Sequence, residues 1–303
     1  MKQPKRVDIR FGYSCNNNCI FCIDHDSRNR FPDMTTEEVK RLVKDAHDKG
    51  AEQITFTGGE PTIRKDMAEL VSYAKELGFK TIMFTTNGRM FSYIPYAEQM
   101  VRLGVNKFMV SLHAHNDELY TKLTRVKGGF QQVLDGIKNL QKLNQPICAS
   151  FVVNAHNYAI LEEYARFLAS NGITELLQMT YVMPSGGDLE LNRQNIPQFT
   201  KAVPYIKRVI DSSEETGLKD IIVMDVPICF MLGYERYINE FSIPDMEIHA
   251  PNPEHVCEDY NARRRTHKMK PEQCAGCRHD SICEGIWPEY FEIYGGREFK
   301  PIV

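Results

Sequence analysis

The feature that most constrains this chain is a rhythm. From residue 6 to about 182, short β-rich runs alternate with amphipathic helical runs, which requires βα units and a parallel sheet. The strands read as RVDIRFGYS, EQITFTGG, FKTIMFTTNG, NKFMVSLHA, PICASFVVN and ITELLQMTYV, short and apolar on both faces as helix-covered strands are. The first helix, in MTTEEVKRLVKDAHDKG, starts with Thr35 as N-cap and Glu38 three residues on, a capping box. It places Val39, Leu42, Val43 and Ala46 on one face and ends at Gly50.

Six parallel strands are too few to close an eight-stranded barrel. The expected fold is α/β, an open, partial (β/α)6 TIM-like barrel with a small C-terminal cysteine-rich extension. Beyond about residue 185 the alternation stops: IPQFTKAVPYIKRVIDSSEETG reads as a helix, IIVMDVPICF as a strand, and the rest as loops bearing cysteines. A boundary is expected near 215, dividing a barrel over 1–215 from an extension over 216–303.

Composition removes several classes of function. A formal charge of -3 gives no general field for nucleic acid, and no apolar run of about 18 residues exists to span a bilayer. The polar start MKQPKRVDIR lacks the apolar core of a secretion signal, so a cytoplasmic location is expected. Nine cysteines in a reducing compartment point to metal ligation or catalysis rather than disulfides.

The cysteines cluster. Cys15, Cys19 and Cys22 crowd the loop after the first strand, and Cys274, Cys277 and Cys283 lie near the C-terminus, with Cys229 and Cys257 upstream. Three thiolates in one loop can hold three irons of a 4Fe-4S cluster and leave the fourth open. The competing reading, zinc, normally needs four protein ligands, and the triad offers a fourth only in the nearby His25. Cys148, within an apolar strand, reads as a small core residue. The next loops are also unusual: TGGEP at 57–61 ends the second strand, TTNG at 85–88 the third and VSLHA at 110–114 the fourth. All converge on the C-terminal rim of the sheet, where such folds bind ligands.

Cys15-x3-Cys19-x-Phe21-Cys22 at the end of a first strand resembles the signature of the radical S-adenosylmethionine (radical SAM) superfamily, with the aromatic Phe21 before the last cysteine. The resemblance extends through strand order from about 6 to 215. It implies a 4Fe-4S cluster on Cys15, Cys19 and Cys22 whose open iron chelates SAM, and reductive cleavage to a 5'-deoxyadenosyl radical that abstracts hydrogen from a substrate. It places Gly58, Gly59 and Glu60 near the methionine amino group, Thr86, Asn87 and Ser111 along the SAM pocket, and Arg125 near the SAM carboxylate. His113 and His115 carry no metal assignment; substrate contact is open to them.

CAGCRHDSIC and the EGIWPEYFEIYG after it resemble SPASM and twitch extensions, which carry auxiliary 4Fe-4S clusters. A SPASM pattern expects a further cysteine at 287, where this chain has Trp, so a twitch-like extension with one second cluster on Cys274, Cys277, Cys283 and Cys229 is expected. Cys257 competes with Cys229, a three-ligand cluster stays open, and zinc is the bland alternative for CxxC. The resemblance also implies a small electron donor of flavodoxin or ferredoxin type and a peptide or small-molecule substrate. Peptide or protein modification ranks first; the 14 residues before Cys15 leave no room for a peptide-recognition domain, which weakens it, while the ending EFKPIV lacks the Gly-Gly tail of molybdenum-cofactor enzymes. The alternatives are a radical SAM enzyme of cofactor biosynthesis and, from another class, a non-enzymatic iron-sulfur electron carrier or a zinc-binding interaction protein.

Overall fold

Val7, Asp8 and Ile9 are all buried in the first strand, the pattern of a strand covered on both faces. A computed structural model of the protein describes residues 6–184, 189–242, 246–251, 256 and 265–303. One parallel sheet runs through it: β1 (Arg6–Arg10), β2 (Gln53–Thr57), β3 (Thr81–Thr86), β4 (Lys107–Ser111), β5 (Ile147–Val153), β6 (Leu176–Tyr181), β7 (Ile221–Met224) and β8 (Met246–His249). The order is β7-β6-β5-β4-β3-β2-β1-β8, with β7 and β8 as unjoined edges, so the barrel is open and partial.

Helices α1 (Thr36–Asp48), α2 (Met67–Leu77), α3 (Ile94–Leu103), α4 (Asp117–Thr124), α5 (Gly129–Lys142) and α6 (Leu161–Ser170) lie between the strands. The capping box of α1 forms as expected: the Glu38 amide donates to Thr35 Oγ1 and the Thr35 amide to the Glu38 carboxylate. Val39, Val43 and Ala46 are its buried stripe.

Two features add to the reading from sequence. Among the described residues the sheet has eight strands: beyond the six of the rhythm, β7 falls in the strand expected at IIVMDVPICF and pairs with β6 through Leu177↔Ile221, and β8 adds to β1 through Val7↔Glu247. β8 escapes the sequence because MEIH is only four residues long with a glutamate and a histidine in it, too short and polar for a periodic signal. The second is α4, an eight-residue helix capped by Asn116, whose side chain accepts the Leu119 amide.

The cysteine-rich segment shares the barrel's core. Tyr290 and Phe299 pack on Phe199, with ring centroids 4.5 Å and 6.1 Å away, and the Phe199 amide donates to the Tyr290 hydroxyl at 3.0 Å. Tyr181 of β6 stacks on the same Phe199 at 4.3 Å. Among the described residues no helix is long and apolar enough to cross a membrane.

Candidate active site

The strand ends converge because their loops hydrogen-bond to one another. The Gly59 amide donates to Gly12 O and the Glu60 amide to Ser14 O, both at 2.8 Å, so the second loop is laced to the first. A Cβ on Gly59 would stand 2.0 Å from Ser14 O, and one on Gly58, at φ +116°, 2.4 Å from Gly12 O. The two glycines are therefore needed for the approach of one protein loop to another. From the other side, the missed helix α4 pins the triad loop: its carbonyls at Leu123 and Thr124 accept the Ile20 and Asn18 amides at 2.9 and 3.0 Å.

Glu60 is 1% exposed and saturated with donors. Its Oε1 accepts from the Thr62 amide and hydroxyl and from Thr86 Oγ1 at 2.7 Å, while Oε2 accepts the Asn87 amide at 2.6 Å. Burial pushes its carboxyl above the usual range, and these bonds pull the other way. The carboxylate thus shapes the third loop. Asn87 continues the chain of contacts by donating to Asn16 Oδ1, and Arg89 donates to Asn16 O and Asn17 Oδ1.

These loops enclose a cavity of about 270 Å³. Cys15, Cys19, Cys22, Phe21, Gly58, Gly59, Glu60, Thr86, Asn87 and Ser111 all line it. Arg125 does not. It is exposed and ends α4 in the left-handed conformation at φ +58°, so the structure does not bring it together with the other expected site residues. The cations on the cavity wall are instead Arg10, which pairs with the buried Asp24 at 2.5 Å, and Arg28. Neither has a motif to announce it: Arg10 ends β1 and Arg28 lies in the turn after Cys22.

Burial raises all three triad thiols, Cys19 to about 12 with Cys22 and Cys15 adding to the effect, and Arg28 acts against this at each. Such a donor set suits a positively charged metal group. Among the described residues no three His, Cys, Asp or Glu converge closely enough to enclose a single ion.

His113 lies on the cavity wall, 5% exposed, edge-on to Phe21 with centroids 4.9 Å apart. Its Nδ1 accepts the Val152 amide at 3.1 Å, and burial pushes its pKa down to about 3. The ring is therefore a neutral imidazole carrying its proton on Nε2. His115 lies outside the cavity, 3.4 Å from Glu163.

A second, smaller pocket of about 30 Å³ is lined by Cys229, Cys274, Cys277 and Cys283 together. Burial, then Cys283, Cys274 and Cys277, push Cys229 to about 12. Cys257 lies outside the described residues. Trp287 begins the helix Pro288–Tyr294, and the Lys268 ammonium sits 5.1 Å from its ring. Cys148 packs with Met83 and Met109.

Comparison with known proteins agrees with this geometry. The profile described as the Radical SAM superfamily matches residues 9–168, more than half of the chain. A probable GTP 3',8-cyclase of Sulfurisphaera tokodaii is 29% identical over 169 residues, 55% of this chain and 53% of that protein. One of Methanocaldococcus jannaschii is 33% identical over 199 residues, 64% of each. The chain thus spans about half the length of the first of these relatives. Among solved structures, Streptococcus suis SuiB bound to S-adenosylmethionine superposes with a TM-score of 0.70 at 16% identity, covering 98% of this chain and 76% of that one. Native anSMEcpe with bound AdoMet gives 0.67 at 14% identity, over 99% and 93%. These two show the fold. The profile match runs through the loops that carry the triad, Glu60 and Ser111, and on it this chain belongs to the radical SAM superfamily.

Proposed function

We propose that this radical SAM enzyme modifies a peptide or protein substrate, with Cys15, Cys19 and Cys22 holding the 4Fe-4S cluster and Phe21, Gly58, Gly59, Thr86, Asn87 and Ser111 lining the SAM beside it. The observation that carries the reading is a single cavity walled at once by three thiols and by the ends of β2, β3 and β4. A 4Fe-4S cluster held by Cys15, Cys19 and Cys22 would supply the electron for reductive cleavage of SAM and so the hydrogen-abstracting chemistry of the superfamily. The chain supplies placement: Glu60 fixes Thr86 and Asn87, Phe21 and Val152 keep water from the wall, and His113 offers an Nε2–H donor.

Cys229, Cys274, Cys277 and Cys283 are assigned to a second 4Fe-4S cluster, supported by their shared pocket. A small flavodoxin- or ferredoxin-type protein is assigned as electron donor, and a reducing cytoplasm suits both thiol sets.

The peptide reading draws on fold likeness over nearly the whole chain, the cysteine-rich segment included, to SuiB solved with precursor peptide SuiA and anSMEcpe solved with a Cp18Cys peptide. A second reading, nucleotide cyclisation in cofactor biosynthesis, draws on the 29–33% identity to GTP 3',8-cyclases over part of the barrel. The test is SAM turnover by reconstituted, reduced enzyme with GTP or with a mixed peptide pool. Stimulation and a modified peptide support the first reading; a cyclised GTP product replaces it with the second.

A further inference from the structure

Arg28 belongs to the turn that follows Cys22 and reaches back over the triad. Its Nη2 donates to Cys22 Sγ at 3.6 Å and its Nη1 to Asn17 O at 3.0 Å, while its Nε is buried with no hydrogen-bond partner. The Asn17 amide in turn donates to Cys15 Sγ at 3.3 Å, so Arg28 touches two of the three cysteines, one directly and one through Asn17. The other cation on this wall, Arg10, is held by both oxygens of Asp24. Among the described residues Arg28 has no carboxylate partner at ion-pair distance; the Asp24 and Glu60 carboxylates share this wall, and Arg28 is the cation bonded to a triad sulfur.

We infer that Arg28 raises the reduction potential of the catalytic cluster, by bonding to the Cys22 sulfur and placing a positive charge beside the triad. This rests on the assignment of the cluster to Cys15, Cys19 and Cys22. Hydrogen bonds and positive charge at cluster sulfurs favour the more negative, reduced state, and so raise the potential. One electron enters from a low-potential donor, dithionite or a small redox protein; no bond or proton at Arg28 changes. Arg28 is a positioning and tuning group, and its guanidinium cannot lose its charge near neutral pH.

The experiment is a spectroelectrochemical titration of the triad cluster in full-length protein. It uses the wild type, Arg28→Met and Arg28→Lys, in the Cys274→Ala/Cys277→Ala background so that one cluster is observed, with iron and SAM affinity measured beside it. Arg28→Met is expected to bind the same iron as its parent and to show at least a tenfold smaller reduced-to-oxidised ratio at fixed potential, about 59 mV for one electron. Arg28→Lys, which keeps the charge, should recover part of the shift. An unchanged potential in Arg28→Met with the cluster intact overturns the inference, as does loss of iron in both variants, which would make Arg28 a brace for Asn17. A parent protein that binds no iron at the triad overturns the cluster assignment itself and the inference with it.

Discussion

Glu60 accepts the Asn87 amide at 2.6 Å, across the gap between the β2 and β3 loops. The same carboxylate takes three further hydrogen bonds and has 1% of its surface exposed. A glutamate in a Gly-Gly-Glu-Pro run is thus an internal strut that holds Thr86 and Asn87 at the cavity wall.

Glu60→Gln turns one acceptor oxygen into a donor facing either the Asn87 amide or the Thr62 and Thr86 groups. The expected result is a stability loss of about 1–3 kcal/mol for a buried group left without its partner, with SAM affinity falling at least tenfold. Chemical denaturation and a SAM binding isotherm check it; unchanged SAM affinity would show that the third loop holds its shape without the strut.

Gly59→Ala forces its Cβ against Ser14 O, a backbone atom that cannot swing aside. Separation of the first two loops should destabilise the protein by about 1–3 kcal/mol and abolish SAM cleavage, because the triad loop moves with Ser14. Gly217→Ala is a useful control: it also tests a left-handed glycine, at φ +69°, but its Cβ would meet nothing within 4 Å and it is not on the cavity wall. It should lose stability without losing cleavage.

Loop chemistry and rhythm made much of this site legible before any coordinates. Thr35 and Glu38 announce α1, and the spacing of Cys15, Cys19 and Cys22 marks one wall of the cavity. What stayed hidden depends on contacts between distant segments. β8 is strand-like only because β1 offers it an edge. Arg125, expected by resemblance near the SAM carboxylate, closes a helix that only Asn116 hinted at and is not on the cavity wall. Arg10 and Arg28 carry no pattern at all; Arg10 reaches the site from the end of β1 and Arg28 by the folding of its turn. The sequence divides the chain at 215, whereas Phe199, Tyr290 and Phe299 join the two parts in one aromatic cluster.

Lys268 lies buried between Asp225 and Glu284, 2.8 Å from each. Asp225 precedes Cys229 by four residues, and Glu284 follows Cys283 directly. Lys268→Met leaves two buried carboxylates facing one another, an expected loss of about 3–5 kcal/mol. Thermal unfolding reads the loss, and iron analysis should show the second site weakened before the first. Equal weakening of both would disconnect this ion cluster from the second pocket.

His113 gives the folded protein a pH dependence. Its folded pKa is about 3 against an ordinary 6.5, so between these values the unfolded chain binds a proton that the folded chain does not. Stability contributed by neutral His113 is full above about 6.5 and is lost as pH falls, by at most about 1.4 kcal/mol per pH unit. Urea denaturation of the apoprotein at pH 7 and 5.5 should show a smaller drop in His113→Gln than in wild type. An equal drop would assign the effect to His156 and His249, which burial also lowers.

The most direct test of the central claim is made on anaerobically reconstituted protein: iron and sulfide content, then 5'-deoxyadenosine formed from SAM under dithionite, in wild type and in the Cys15→Ala/Cys19→Ala/Cys22→Ala variant. The account predicts about eight irons and product in wild type, and about four irons with no product in the variant. Product formation that survives loss of the triad, or intact clusters that form none in wild type, would contradict it.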